Sequence, residues 1–320
     1  MARNILEVKN LVKYFPVRKF GKKQFVKAVD NLSFSIRDGE IFGVLGESGC
    51  GKSTLGRVIN RLEQEQSGTI ELLGETISGK EYRKDREFRR KMQMVFQNPY
   101  DSFDPRVMIY KSIDLPMKIN GIDSSPENRL AKMIETMNHA KLTPAEGLLT
   151  RYPHELSGGQ LQRISILRSV LLNPKFIVAD ECVSMLDVSV RAGVLNLLLS
   201  TQKELGSAML FITHDISVAT YICGRIMVLY AGKIMEIASG EDILRSPLHP
   251  YSRALVSYSP TITREEKQRY RISGEVVTPI DPPPGCRFAS RCPIVQKKCA
   301  VEEPTLRPMG NNRQVACHYV

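Results

Sequence analysis

The chain is 320 residues long, with 42% hydrophobic and 25% charged residues, the balance of a soluble globular protein of one large or two ordinary domains. No run of about 18 apolar residues occurs, which excludes a membrane-spanning helix, and the first residues lack the apolar core of a secretory leader, so a cytoplasmic location is expected. The net charge of +11 permits an anionic partner, but the Lys and Arg residues are scattered among apolar and acidic ones, which argues against a nucleic-acid role.

In chain order, short apolar segments at 5–8, 25–29 and 32–36 predict a small β subdomain, and Asp38-Gly39 predicts a turn. The run from Glu40 to Leu45 reads as a buried strand, and helical spacing begins at Thr54. Between them stands Gly46-Glu47-Ser48-Gly49-Cys50-Gly51-Lys52-Ser53-Thr54, which matches G-x-x-x-x-G-K-[ST] in the strand–loop–helix context this motif requires. Its glycines let successive amides point inward, and the helix start adds its positive end, so a triphosphate would be held by backbone N–H groups. Lys52 would reach the β- and γ-phosphates and the Ser53 hydroxyl would ligate Mg²⁺.

Further strands are expected at 69–74 and 92–96. After Gln97 the character changes. Asn98-Pro99-Tyr100-Asp101 is a turn, and Pro105 and Pro116 punctuate a loop-rich stretch. Residues 126–140 read as a helix with Leu130, Met133, Ile134 and Met137 facing a core. A second helix is expected over 158–172, so 98–170 is read as a mostly helical insertion. Parallel α/β character returns with a strand from Phe176 to Ala179, ending in Asp180-Glu181. A helix over 191–204 follows, then a strand over 208–213 ending in His214-Asp215. A hairpin turns over Ala231-Gly232. From about residue 241 the chain is proline-rich, basic and cysteine-clustered, which sets a boundary near 240. The fold class is therefore α/β, a phosphate-loop NTPase core with a β subdomain, a helical subdomain and a small irregular C-terminal extension.

Two groups add chemistry to the phosphate loop. Asp180 at a strand end fits a Mg²⁺-holding role, and Glu181 beside it can polarise an attacking water; the same pair could instead cap the following helix. Leu156-Ser157-Gly158-Gly159-Gln160 has capping-box spacing, so a helix should start there, and its glycines leave the first amides bare as a second anion site. Two separate helix-start phosphate sites in one chain suggest a nucleotide sandwiched between two copies.

In their order and spacing, Gly46–Thr54, Gln97, Leu156–Gln160, Asp180-Glu181 and His214 resemble the ATP-binding-cassette (ABC) ATPases, whose signature is LSGGQ. The resemblance covers roughly residues 5–240. It implies ATP hydrolysis by two cassettes dimerised head to tail. Each ATP would lie between one subunit's phosphate loop and the other's Ser157-Gly158-Gly159 region, with Gln160 completing the signature. Gln97 would sense Mg²⁺ and the attacking water and couple to membrane subunits. Asp180 would hold Mg²⁺, Glu181 would assist the water, and His214 would contact the γ-phosphate. Ser184-Met185-Leu186-Asp187 would cross the dimer interface, and Phe15, with Tyr14 beside it, would stack on adenine.

The tail narrows the resemblance. Pro247-Leu248-His249-Pro250-Tyr251-Ser252, then Gly285-Cys286-Arg287-Phe288 and Arg291-Cys292-Pro293, then Cys299 and Cys317-His318, look like the C-terminal extension of oligopeptide/dipeptide importer ATPases. Four thiolates can hold Zn²⁺ or a [4Fe–4S] cluster. The resemblance implies a [4Fe–4S] cluster on Cys286, Cys292, Cys299 and Cys317, with zinc the alternative. It also implies a second, related ATPase chain, two membrane permease subunits, an extracytoplasmic substrate-binding protein, no nucleic acid, and a peripheral place on the cytoplasmic membrane face. Transport of nickel or a sugar, a soluble ABC ATPase acting on nucleic acid or the ribosome, and a poorly hydrolysing regulatory cassette are the rival readings. Cys182, Met185, Leu161 and Ile166-Leu167 depart from the family's usual residues without removing a catalytic group.

Overall fold

Two long strands, β1 (Asn4–Lys19) and β2 (Lys22–Arg37), pair antiparallel through a basic hairpin in which Arg18 faces Lys23. The computed structural model describes residues 3–19, 21–79, 86–258, 272, 274 and 278–320. The three short segments expected near the N-terminus are parts of these two 16-residue strands. The apolar runs are interrupted because bulges shift the register between Val8 and Leu11 and again between Lys13 and Phe15, which breaks strict alternation. β3 (Ile41–Leu45) is buried at every position and ends at the glycine loop, and α1 (Lys52–Ile59) starts from it. β4 (Ser67–Leu72) and β5 (Glu75–Thr76) complete an antiparallel sheet of order β2-β1-β4-β5.

Residues 81–209 form a second compact unit. It opens with α2 (Arg86–Lys91) and β6 (Met92–Val95), then α3 (Ile109–Ile119), α4 (Pro126–His139), α5 (Ala145–Leu149) and α6 (Gly158–Val170). α3 overturns the expected loop around Pro116. The proline lies in the helix's last turns, where its missing N–H forfeits one bond, and Asn120 closes the end by donating backbone and side-chain N–H groups to the Pro116 carbonyl. On α4, Met133 and Met137 are buried as expected, but Leu130 is 37% exposed. Arg129 is buried in its stead, with Nε 2.6 Å from Asp114 of α3. The departures Leu161, Ile166 and Leu167 are all buried, so their bulk fills the interior of this unit. β7 (Phe176–Asp180) pairs parallel with β6, and α7 (Val188–Leu205) follows it.

β8 (Ala208–Thr213) leads back into the first unit, which comprises residues 1–80 and 210–320. α8 (Ile216–Ile222) precedes the predicted hairpin, now β9 (Arg225–Tyr230) and β10 (Lys233–Ser239). Its turn places Ala231 at φ +45° and Gly232 at φ +80°, the left-handed pair such a tight turn needs. α9 (Gly240–Arg245) and α10 (Pro250–Ser257) begin the tail, and α11 (Lys297–Val301) carries Cys299. Two short strands, β11 (Arg307–Pro308) and β12 (Gln314–Val315), add to the edge of β10, giving the order β11-β12-β10-β9-β3-β8 within this unit. The tail is therefore packed into the same unit that carries the glycine loop. Among the described residues, no helix is long and apolar enough to cross a membrane.

Candidate functional site

The sequence-predicted residues fall on both units, and each half has its own geometry. In the first unit, β3 delivers the chain into the loop. Gly51 adopts φ +106°, and a Cβ there would lie 2.0 Å from the Ala28 carbonyl oxygen; a Cβ on Gly46 would lie 2.3 Å from the Leu229 carbonyl oxygen. The glycines are thus required by backbone packing as well as by conformation. Lys52 is 3% exposed, and its ammonium donates to the Gly46 and Glu47 carbonyls at 2.8 and 2.9 Å. The lysine is therefore tied back onto the carbonyls of its own loop. Cys50 is buried, and that burial raises its thiol pKa, so it stays protonated. Ser53 and Thr54 follow on α1, with Glu47, Ser48 and Gly49 forming the open side of the loop.

The two candidate aromatics of β1 separate clearly. The Tyr14 hydroxyl donates to the Asp30 carboxylate at 2.5 Å, which commits that ring to the fold. Phe15 is half-buried and has the Lys13 ammonium 4.9 Å from its ring centroid. His214 follows β8 directly and is exposed; Asp215 caps α8 by accepting from the Ser217 and Val218 amides.

In the second unit, Asp180 ends β7 and is 3% exposed. Glu181 has φ +44°, in the left-handed region that residues other than glycine adopt infrequently. The Gln97 side-chain amide donates to the Glu181 carboxylate at 3.2 Å. Ser184 donates both its backbone N–H and its hydroxyl to the Glu181 carbonyl. Cys182, at the family's usual proline position, is buried and its thiol is pushed up to about 12 by desolvation, so it acts as a small core residue. Met185 and Val188 are 67% and 82% exposed.

The predicted capping box is present. Ser157 Oγ accepts from the Gln160 amide, and the Gln160 side-chain oxygen accepts from the Ser157 N–H at 3.0 Å. The two glycines differ. A Cβ on Gly158 would meet nothing within 4 Å, whereas one on Gly159 would lie 2.5 Å from Val190 Cγ1. Gly159 is therefore explained by packing on α7, and Gly158 is not.

In the tail, Cys286, Cys292, Cys299 and Cys317 line one small cavity walled by Phe288, Ile294 and Pro304. Burial pushes the Cys286 thiol up to about 11, and the neighbouring Cys299, Cys292 and Cys317 add to the shift. Among the described residues no group of three or more His, Cys, Asp or Glu side chains stands at the spacing that holds a metal ion. The thiols converge on one cavity, a soft four-sulfur donor set on apolar walls, without closing to that distance. His318 has a ring nitrogen 3.0 Å from the Glu302 carbonyl.

One group of functional interest escaped the sequence. Arg291 Nη1 and Nη2 donate to the Glu47 carboxylate at 2.7 and 3.0 Å, and the Glu47 amide donates to the Tyr251 hydroxyl at 2.9 Å. Both tail residues stand inside recognisable motifs, but no local pattern signals partners 244 and 204 positions away.

Comparison with known proteins accords with this architecture. Residues 29–184 match the family model for the ABC transporter, and residues 235–299 match that for the oligopeptide/dipeptide transporter C-terminal region. The chain is 45% identical over 317 residues to the "Putative oligopeptide transport ATP-binding protein YkfD" of Bacillus subtilis (strain 168), covering 98% of this chain and 95% of that one. It is 42% identical to the dipeptide transport ATP-binding protein DppF of Haemophilus influenzae, covering 99% and 97%. Among solved structures, a dimeric post-hydrolysis state of the ATP-binding cassette MJ0796 bound to ADP and Pi matches with a TM-score of 0.64 and 28% identity, over 73% of this chain and 98% of that one.

Proposed function

The chain belongs to the ABC transporter family, with the C-terminal region of its oligopeptide/dipeptide branch, and from that premise we propose that it hydrolyses ATP to power import of peptides through a membrane permease. The observation that carries hydrolysis, as opposed to binding alone, is the Gln97–Glu181 pair. A carboxylate at a strand end, in strained backbone, accepts a hydrogen bond from a side-chain amide at 3.2 Å. That arrangement suits a group that orients water against a γ-phosphate.

We propose the following roles, residue by residue. Amides of Gly46–Thr54 bind the phosphates, Lys52 moves from the loop carbonyls onto the β- and γ-oxygens, and Phe15 stacks on adenine. Glu181 accepts the proton of the attacking water, and Gln97 fixes that carboxylate. His214 stabilises the charge that develops on the γ-phosphate. Ser53, Asp180 and Gln97 supply hard oxygen donors suited to Mg²⁺, which when bound neutralises phosphate charge. Ser157, Gly158, Gly159 and Gln160 of a partner cassette close the site from the far side. The 67% exposure of Met185 and 82% exposure of Val188 leave apolar surface next to the interface loop for such a partner to cover. The partner is a second, related ABC ATPase, and the pair works on two permease subunits fed by an extracytoplasmic binding protein, at the cytoplasmic membrane face. We read residues 1–240 as the cassette and 241–320 as the importer-type extension.

We propose that Cys286, Cys292, Cys299 and Cys317, which line one cavity, hold a [4Fe–4S] cluster, with zinc the alternative. When bound, such a cluster would cross-link the tail at four points.

The test of the proposal is Glu181→Gln. The amide keeps the shape and leaves ATP binding intact, and turnover falls by about 10²- to 10⁴-fold, the usual worth of a positioned general base. Steady-state ATPase activity within threefold of the native protein would refute the assignment.

A further inference from the structure

The Glu47 residue of the phosphate loop is held at all three of its polar groups. Its carbonyl receives the Lys52 ammonium at 2.9 Å. Its amide donates to the Tyr251 hydroxyl at 2.9 Å, and its carboxylate receives the forked pair of bonds from Arg291. Both tail groups are rigidly placed. Tyr251 is fully buried, with its ring 4.8 Å from Tyr230 and 5.3 Å from Phe288, centroid to centroid. The Arg291 side chain is 6% exposed, its guanidinium lies 5.7 Å from the Tyr230 ring centroid, and Nη1 also reaches the Tyr230 hydroxyl at 3.4 Å. Phe288 packs against these tyrosines and also walls the cysteine cavity, and Arg291 immediately precedes Cys292.

We propose that Arg291 and Tyr251 are positioning residues for ATP, which set the phosphate loop and Lys52 from behind by fixing Glu47. The inference rests on Gly46–Thr54 being the ATP phosphate site, and it gives the importer-type tail a part in nucleotide binding. The chemical reason is the geometry of the grip. A glycine-rich loop has little side-chain packing to hold its amides convergent, and each degree of freedom left to it is lost on binding a triphosphate. A planar guanidinium bonded at two points to the loop's one carboxylate removes that freedom beforehand. Because the Glu47 carbonyl also holds Lys52, a shift of Glu47 displaces the ammonium that must meet the β- and γ-phosphates. Neither Arg291 nor Tyr251 touches the nucleotide in this account; they act through Glu47 alone.

The experiment is calorimetric titration of ATP into the full chain in its transporter complex, with melting temperature followed in parallel. The native protein, Arg291→Gln, Glu47→Gln, the double variant and Tyr251→Phe are compared. Arg291→Gln and Glu47→Gln should each weaken ATP binding by roughly tenfold, about the worth of one lost charge-assisted hydrogen bond. The double variant should be no weaker than either single one, because one contact is broken in all three. In turnover assays the change should fall on KM, with kcat little altered. Tyr251→Phe removes one hydroxyl from a filled site and should weaken ATP in the same direction by a smaller factor. Native affinity in Arg291→Gln, or losses that multiply in the double variant, would overturn the inference. Should Arg291→Gln fail to fold, native ATP affinity in Tyr251→Phe would overturn it. Failure of the native chain to bind ATP would instead sink the reading of the loop.

Discussion

Gly158 offers a separation of function from stability that its neighbour does not. It occupies the first position of α6, and its missing Cβ would point into open space, with nothing within 4 Å. Replacing it by alanine therefore removes unfolded-chain entropy without a clash and should stabilise the protein by about 0.4–1 kcal/mol. For a chain of this length that is a rise of roughly 0.5–1.5 °C in melting temperature. In the composite site the same methyl group would stand between the α6 amides and the γ-phosphate of the partner's ATP. A displacement of about 1 Å in a closed catalytic site costs on the order of 10²-fold in rate, or about 2.7 kcal/mol. Gly158→Ala should thus melt no lower than the native protein, bind ATP to its own phosphate loop normally, and lose about two decades of ATPase activity in the assembled dimer. Melting curves, ATP titration and steady-state turnover measure the three quantities. A variant that keeps both its stability and its turnover would refute the idea that this glycine leaves room for a ligand.

Other outcomes follow from single contacts. Gly51→Ala combines a left-handed backbone with a Cβ 2.0 Å from the Ala28 carbonyl and should cost about 2–5 kcal/mol, with ATP binding lost; a melting point within 2 °C of native, as about 1 kcal/mol would give, contradicts the packing. His249 is buried, its pKa is depressed to about 3, and its Nδ1 accepts from the Tyr251 amide. A depressed histidine is neutral when folded and protonates on unfolding below its free value of about 6.5, so its stability contribution is complete above that pH and is lost as pH falls toward 3. At pH 5 the loss is about 2 kcal/mol, and the melting temperature of His249→Asn should fall less steeply between pH 7 and 5 than that of the native protein; equal slopes would refute it. Anaerobically purified protein should be brown, with stoichiometric iron and a broad absorbance near about 400 nm that Cys286→Ser removes, whereas colourless protein with one zinc would overturn the cluster.

Local rules carried much of the fold because they coincide with local causes. The glycine loop, the Ser157–Gln160 capping box and the Ala231-Gly232 hairpin are each specified within about ten residues, and each took the expected form. The misses share a different origin. The extent of β1 and β2 depends on bulges that break the apolar alternation, so only their apolar patches were visible. The helix over Ile109–Ile119 was hidden because its proline falls in the last turns, where the lost bond costs least. Apolar spacing points Leu130 inward, but a buried Arg129 paired to Asp114 takes that place, and only tertiary context makes a buried arginine tolerable. The grip of Arg291 and Tyr251 on Glu47 is wholly non-local. Family resemblance marked the tail but assigned those two residues no task.

This chain binds ATP and couples its hydrolysis to peptide import. The measurement that bears on it most directly is peptide uptake by the complete transporter reconstituted in vesicles, with ATP on the side of this chain. Uptake should require ATP, rise together with ATP hydrolysis on addition of the peptide-loaded binding protein, and disappear in Glu181→Gln while that variant still retains ATP. Uptake that persists in Glu181→Gln, or proceeds without ATP, would contradict it.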